Sequence, residues 1–339
     1  MRACASIIAA VSFAAAVPSS IFAPTYALIP LPTGATLSCL FAGAPWSPNA
    51  SDATPVILFL HGWPEGSWAW AGVMATGLLD NFVLVAPDQR GYNSSSLMPT
   101  HALGELVRDA TALAAVLARS GAGAARPVHW VAHDWGGAVA WAAAAADDAA
   151  AIASLTVVNM AHPLGWITEL RTVPAQQQAS TYVLSFVNPD FPAYAAANDG
   201  AFLKSIFSDE GWWDTATEAA YAASWAVRGT VNASLAWYRE NVRPHCSLNC
   251  TTADCWAQGV DSSFDGLAHG GVIRQSLRVR VLWGLRDTAF DNAGQLAFLP
   301  TVVRGPLNVT TFPDNGHWLA NEEPHAVAAA IASFVAGGA

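Results

Sequence analysis

Short apolar runs rich in β-branched residues alternate with helical periods along this chain, and no other feature limits its fold as strongly. Residues 56–60 (VILFL), 82–86 (FVLVA), 128–132 (VHWVA), 155–158 (LTVV) and 279–283 (VRVLW) each read as a buried strand. Between them, Leu103, Leu106, Val107, Ala110, Leu113, Val116 and Leu117 recur three and four residues apart, which is one face of a helix. A second helix starts at Glu323 and Pro324 and repeats apolar residues at Val327, Ile331 and Phe334. Strands that alternate with helices imply βαβ units, so an α/β fold is expected, with a mostly parallel sheet flanked by helices. Between about residues 163 and 271 the β runs vanish and Trp, Tyr and Ala take over, in places at helical spacing. That segment reads as a helical insertion. The expected organisation is a core over 26–163, the insertion over 164–275 and the rest of the core over 276–339.

Composition excludes several classes. Of 339 residues, 53% are apolar and only 12% charged, which is ample for a large core and excludes a disordered chain. Fifteen Lys and Arg against 25 Asp and Glu leave a net charge of −10, so a nucleic-acid partner steered by phosphates is not expected. Lys204 is the single lysine, which argues against a polybasic membrane patch. No apolar run is long enough to span a bilayer.

The first 25 or so residues read as a secretory signal. Arg2 supplies a short positive region, and small apolar residues follow from about Ala5 to Val17, broken by Pro18, Ser19 and Ser20. Cleavage is possible after Ala16, Ala23 or Ala27, and a first core helix is the alternative. N-x-S/T sequons at Asn49, Asn93, Asn232, Asn249 and Asn308 fit a secreted glycoprotein. Loss of Cys4 with the signal leaves Cys39, Cys246, Cys250 and Cys255, an even number that suggests disulfides in any of three pairings. Three of them crowd residues 245–256. A zinc site there is the rival reading, although the spacing matches no common finger.

The sharpest chemical signal is Val131-Ala-His-Asp-Trp-Gly-Gly-Ala138, where a strand ends in a tight turn and an Ala-rich helix begins. Ala132 and Gly136 stand two residues either side of the centre, as the strained turn of a nucleophile elbow requires. The centre is Asp134 rather than Ser. Alone it also reads as a helix N-cap. In a fold of this kind an acid and then a histidine follow the nucleophile, each after a strand. Asp287, in Gly284-Leu-Arg-Asp287, and His317, in Pro313-Asp-Asn-Gly-His-Trp318, meet that order. His61-Gly-Trp-Pro-Glu65 follows the 56–60 strand, and the Trp63 and Trp135 backbone N–H groups are candidates for an oxyanion hole.

Together HGWPEG (61–66), DQRGY (88–92), HDWGG (133–137), NMAHP (159–163), GLRD (284–287) and NGHW (315–318) resemble the epoxide hydrolases of the α/β-hydrolase fold, over nearly all of the mature chain. The resemblance implies a helical cap inserted after NMAHP and two cap tyrosines facing the nucleophile. The segment 181–189 looks like the family's first tyrosine segment and points to Tyr182, although only Phe186 of its usual aromatic pair is aromatic. Trp237-Tyr-Arg239 looks like the second and points to Tyr238. Two departures concern the shape of the pocket: residues 246–271 look like an insertion, and the residues after Pro189 lack the usual Gly-x-x-Glu pattern.

The residue types fit the chemistry. A serine attacking saturated carbon would form an ether that water does not readily cleave, whereas a carboxylate forms a hydrolysable ester. Tyrosine, with a pKa of about 10, stays protonated at neutral pH and can donate to an opening epoxide. The expected reaction is therefore water addition to an apolar epoxide, giving a vicinal diol, with no cofactor or metal. Haloalkane dehalogenase action with the same Asp134, His317 and Asp287 is the alternative. A halide leaves without a proton and is suited by N–H donors; this chain has Trp63 where several dehalogenases place Asn. A secreted binding protein of the same fold would lack at least one catalytic residue, and all are present. His129 and His162 read as structural, and His133 as packing under the turn. The sequence leaves the oligomeric state open.

Overall fold

The computed structural model describes residues 23–49, 53–120, 125–146, 152–246, 250 and 252–337. Most of the expected leader, with the cleavage point after Ala16, lies outside them, as does Asn249. Ten strands occur among the described residues: β1 (Thr25–Pro30), β2 (Thr36–Gly43), β3 (Val56–Leu60), β4 (Val83–Pro87), β5 (Val128–His133), β6 (Ser154–Val158), β7 (Val242–Pro244), β8 (Val260–Ser262), β9 (Val279–Gly284) and β10 (Leu307–Phe312). Eight form one sheet in the order β1-β2-β4-β3-β5-β6-β9-β10, with β7 and β8 as a separate ribbon. β2 runs antiparallel to β1 and β4, and the pairs from β4 to β10 are parallel.

Strands β3 to β6 and β9 are buried on both faces, which explains their continuous apolar runs. The hairpin β1-β2 escaped the sequence reading. β1 (TYALIP) is largely exposed, and β2 (TLSCLFAG) mixes Ser and Cys into its apolar face, so neither presents a β-branched run. Cleavage after Ala27 would cut β1 where it pairs with Cys39 of β2, and this tells against that point. No described helix is long and apolar enough to cross a membrane.

Helices cover both faces. Leu103–Leu117 turns Leu103, Leu106, Ala110, Leu113 and Leu117 inward as its spacing requires, and Val107 and Val116 flank that face half-buried. The C-terminal helix Pro324–Ala336 buries Val327, Ile331 and Val335. Phe334, expected in that stripe, sits beside it under the Arg278 and Arg280 guanidinium groups, 4.9 and 5.0 Å from the ring centre.

Between β6 and β9 the chain forms the helices Pro163–Thr172, Pro174–Ala179, Thr181–Phe186, Phe191–Ser205, Thr215–Trp225 and Thr230–Asn241, followed by the β7-β8 ribbon and short 3-10 turns. Polar contacts dock these helices on the core. Indole N–H groups of Trp225 and Trp237 donate to the Pro64 and Arg90 carbonyls, at 2.6 and 3.1 Å. Glu240 accepts from the Thr100 hydroxyl and the His101 N–H, each at 2.7 Å. The fully buried Asn241 accepts from Leu103 N–H at 2.8 Å and donates to the His101 carbonyl at 2.9 Å.

The Arg90 loop that receives Trp237 is held by a buried ion pair. Arg90 Nε and Nη2 donate to the two Asp109 oxygens at 2.6 and 3.0 Å, and Nη1 donates to the Thr100 carbonyl at 2.9 Å. Removing Asp109 would leave the buried Arg90 with only Glu105, 3.6 Å away and partly exposed, to offset its charge, and loss of one member of a buried pair costs about 3–5 kcal/mol. Asp109→Ala is therefore expected to lower the unfolding free energy by about that amount in urea titration. A loss below about 1 kcal/mol would show that Arg90 finds another partner.

The cysteine expectation needs correction, and the sequons differ in their surroundings. Among the described residues Cys250 and Cys255 are bridged, while Cys39 and Cys246 are free thiols. Cys39 does not pair because it lies fully buried in β2, where it acts as a small apolar side chain. Asn93 is half-buried, and its side-chain amide donates to Asp88 at 2.9 Å. Asn232 and Asn308 are exposed, Asn308 on the edge strand β10.

Candidate active site

Strand β5 delivers Asp134 to the carboxyl edge of the sheet. There the backbone turns through φ 47° at Asp134 and enters the helix Asp134–Ala145. That conformation is strained for a non-glycine residue. The turn closes because its neighbours have no side chains: a Cβ on Gly136 would lie 2.5 Å from the Leu60 carbonyl, and one on Gly62 would lie 2.4 Å from Asp134 Cβ. The carboxylate is buried and projects over the loop after β3, where Trp63 N–H donates to its Oδ1 at 2.8 Å. Trp135 N–H belongs to the first turn of the helix, whose amides have no partner within it.

Asp287 follows β9 and His317 follows β10, on the same sheet edge. His317 Nδ1 lies 2.8 Å from Asp287 Oδ2, and Nε2 lies 3.8 Å from Asp134 Oδ2. The three residues singled out in the sequence thus form one line, acid to histidine to acid. Burial raises the Asp287 pKa, but the charge and hydrogen bond of His317 outweigh it, helped by Asn159 and the Ala289 N–H, and hold the carboxyl below its usual range. Burial opposes a charged His317, yet Asp287 and then Asp134 overcome it and push the ring up to about 9.

Three residues around this line were not read as site residues. Asn159 directly follows β6 with φ 41°, is fully buried, and donates to Asp287 Oδ2 at 2.8 Å while accepting from Gly284 N–H at 3.0 Å. Its place after a strand, as for Asp287 and His317, was the available signal. Glu65 is buried beneath the nucleophile loop. It meets His133 Nδ1 at 2.9 Å and accepts from the Tyr221 hydroxyl at 3.0 Å. His133 Nε2 in turn contacts the His317 carbonyl at 2.9 Å, so it supports the histidine loop as well as packing under the turn. Burial would raise Glu65, but the His133 charge and hydrogen bond hold it below its usual range.

The cap tyrosines come from separate helices, Tyr182 from Thr181–Phe186 and Tyr238 from Thr230–Asn241. Their rings are 6.3 Å apart, and Tyr238 stands edge-on to Trp63 and Trp135, 5.8 and 5.0 Å away. Burial and then the Asp134 carboxylate raise the pKa of both hydroxyls, so both remain protonated. Phe186 closes the group, 4.3 Å from Trp63. The Asp134 carboxylate thus lies within electrostatic reach of two phenols, beside a cluster of aromatic rings from Trp63, Trp135 and Phe186, with His317 at its other side.

His317 gains proton affinity on folding, from 6.5 to about 9. Its stabilising contribution is therefore complete below pH 6.5 and lost as pH rises through about 9. Urea midpoints measured from pH 6 to 10 should fall for the wild type relative to His317→Gln over that window. Parallel curves would show that His317 is not raised.

Comparisons with known proteins agree with this architecture. The profile of the alpha/beta hydrolase family matches residues 57–330. Epoxide hydrolase A of Mycobacterium tuberculosis is 27% identical over 354 residues, covering 93% of this chain and 98% of the relative. An AB hydrolase superfamily protein of Bacillus subtilis is 32% identical over 192 residues, covering 55% of this chain and 65% of the relative. A solved structure from a set of epoxide hydrolases of hot-environment metagenomes superposes with a TM-score of 0.70 at 28% identity, covering 92% of this chain and 98% of the other. With a matching profile over most of its length, an eight-stranded mostly parallel sheet and an elbow at its centre, this chain belongs to the alpha/beta hydrolase family.

Proposed function

We propose that the chain is an epoxide hydrolase that works through a covalent ester on Asp134. One observation carries this reading: the strained elbow presents a carboxylate, not a hydroxyl, and two cap tyrosines stand close enough for that carboxylate to raise the pKa of their hydroxyls. Relatives named epoxide hydrolase at 25–27% identity over most of the chain support it.

In the first step an Asp134 oxygen attacks an epoxide carbon and the C–O bond of the ring breaks. Tyr182 and Tyr238 hydrogen-bond the leaving oxygen, and one of them gives it a proton. Ester formation removes the negative charge of Asp134, one of the groups that holds His317 protonated. His317 then releases its proton, which restores the tyrosine, and becomes a base. Water loses a proton to His317 and attacks the ester carbonyl. Trp63 N–H, already 2.8 Å from Asp134 Oδ1, stabilises the oxyanion with Trp135 N–H. Collapse releases the diol and returns Asp134 as a carboxylate beside a protonated His317. Asp287, fixed by Asn159 and the Ala289 N–H, keeps the imidazole aligned.

A halide leaving group is less well served. The Trp63 indole N–H already donates to Ser234 Oγ at 3.3 Å. The aromatic lining from Phe186, Trp63, Trp135 and Tyr238 favours an apolar epoxide. The chain needs no cofactor for this cycle.

Trapping tests the cycle. His317→Gln should form the ester and stall, so intact mass after exposure to apolar epoxides should rise by one whole epoxide. The gain should vanish when Asp134→Asn is added, and Tyr238→Phe in the same background should slow it about 100-fold. An adduct formed only from haloalkanes, lighter by the halogen, would identify a dehalogenase and overturn the epoxide reading. A folded variant that forms no adduct with any member of the panel would reject the ester mechanism.

We further propose that the protein is secreted and glycosylated. The Arg2 leader, the Cys250–Cys255 bridge and exposed sequons at Asn232 and Asn308 support this. Expressed as the full chain in a secreting eukaryotic cell, it should appear in the medium without its leader and lose mass on endoglycosidase treatment. Retention inside the cell with the leader intact would reject the proposal.

A further inference from the structure

The three clustered cysteines take no part in the cycle above. Cys246 follows β7, whose ribbon is prolonged by His245 N–H donating to the Gly259 carbonyl at 2.8 Å. Cys255 lies in the 3-10 turn Ala253–Gln258 and is fully buried. Cys250 lies on the connection between them and is only half-buried. The three sulfur atoms are all within 4.8 Å of one another, although Cys250 and Cys255 alone are bridged. A free thiol thus stands beside both sulfurs of a disulfide, with its own chain position and that of Cys255 anchored by secondary structure.

We propose that Cys246, Cys250 and Cys255 form an intramolecular thiol–disulfide exchange site. The Cys246 thiolate attacks Cys255 Sγ, the Cys246–Cys255 bond forms, the Cys250–Cys255 bond breaks, and the electron pair leaves on Cys250. The proton lost by Cys246 to water is regained by Cys250. Nothing is oxidised or reduced overall, so no external reagent is needed. Attack on Cys255 is favoured over attack on Cys250 by the environment of the leaving group. The first expels the half-buried Cys250 thiolate, whereas the second would expel a thiolate from the fully buried Cys255. Cys255 is therefore the common partner, and the free thiol moves between Cys246 and Cys250.

The cysteine cluster is connected to the helix of Tyr182 by one hydrogen bond and a short run of chain. Next to Cys255, the buried Trp256 donates its indole N–H to the Gln177 carbonyl at 3.1 Å. Gln177 belongs to the helix Pro174–Ala179, which runs through Ser180 into the helix of Tyr182. Exchange transfers the covalent fastening of this turn from the connecting segment to the end of the β7-β8 ribbon.

Exchange requires thiolate, and burial raises the Cys246 thiol above its ordinary value, so its rate should climb about tenfold per pH unit near neutrality. Pulse labelling with N-ethylmaleimide, acid quench, non-reducing pepsin digestion and fragment mass spectrometry would locate the free thiol. The expected result is label divided between Cys246 and Cys250, with Cys255 always bridged, and a Cys250-labelled share that grows faster at pH 8 than at pH 7. Cys39 should stay unlabelled until the protein unfolds. Label confined to Cys246 at every pH and time would overturn the proposal, as would label on Cys255. Two single variants give an independent check, because each keeps one possible bridge. Cys250→Ser should form a Cys246–Cys255 disulfide, and Cys246→Ser should keep Cys250–Cys255 with no thiol labelled in the cluster. A natively folded Cys250→Ser protein with two free thiols after air oxidation would also overturn it.

Discussion

The close approach of strand β3 and the elbow governs this molecule. Asp134 holds a left-handed backbone that costs on the order of 1–3 kcal/mol. The surrounding structure imposes it. β5 is buried throughout and pairs with β3 and β6 on either side, and the helix after the turn is buried along its whole length. With a Cβ absent at Gly62 and Gly136, the loop after β3 comes near enough for Trp63 N–H to reach the carboxylate. Every later feature of the site is aimed at the point this packing selects.

Burying three charged groups so close together requires compensation. Asp287 has its two oxygens satisfied by His317, Asn159 and the Ala289 N–H. His317 in turn lies between two carboxylates, which is why its proton is held more tightly than in water. Asp287 supplies most of that hold, and Asp134 adds to it. A second buried pair, Glu65 with His133, supports the main chain of His317 from below. The loops of β3, β5 and β10 are thereby tied to one another by polar contacts rather than by apolar packing alone.

The helical insertion adds two tyrosines to the surroundings of Asp134. Tyr182 and Tyr238 are brought over Asp134 by different helices, and indole and amide contacts from Trp225, Trp237 and Asn241 register those helices on the core. The Tyr221 hydroxyl reaches down to Glu65, so cap and catalytic loops share a hydrogen-bonded group. The tryptophans are accordingly divided between core and site. Trp130, Trp141 and Trp283 fill the core, while Trp63 and Trp135 line the site.

By itself the sequence determined the parallel core and the line of Asp134, His317 and Asp287. Strands buried on both faces must be apolar throughout, and a nucleophile elbow must be flanked by small residues, so both leave local marks. The order of Asp134, Asp287 and His317 after their strands is likewise a property of the chain. The hairpin β1-β2 carried no such mark, because an exposed strand at a sheet edge needs no apolar run. Only the tertiary structure decided that Asn159 and Glu65 belong to the site. Their roles depend on burial and on partners as distant in sequence as Asp287 and Tyr221; a place after a strand marks Asn159 as a candidate but does not name its partner. It also decided the cysteines. An even count cannot tell a core position such as Cys39 from a cluster such as Cys246, Cys250 and Cys255, because pairing depends on distance in space.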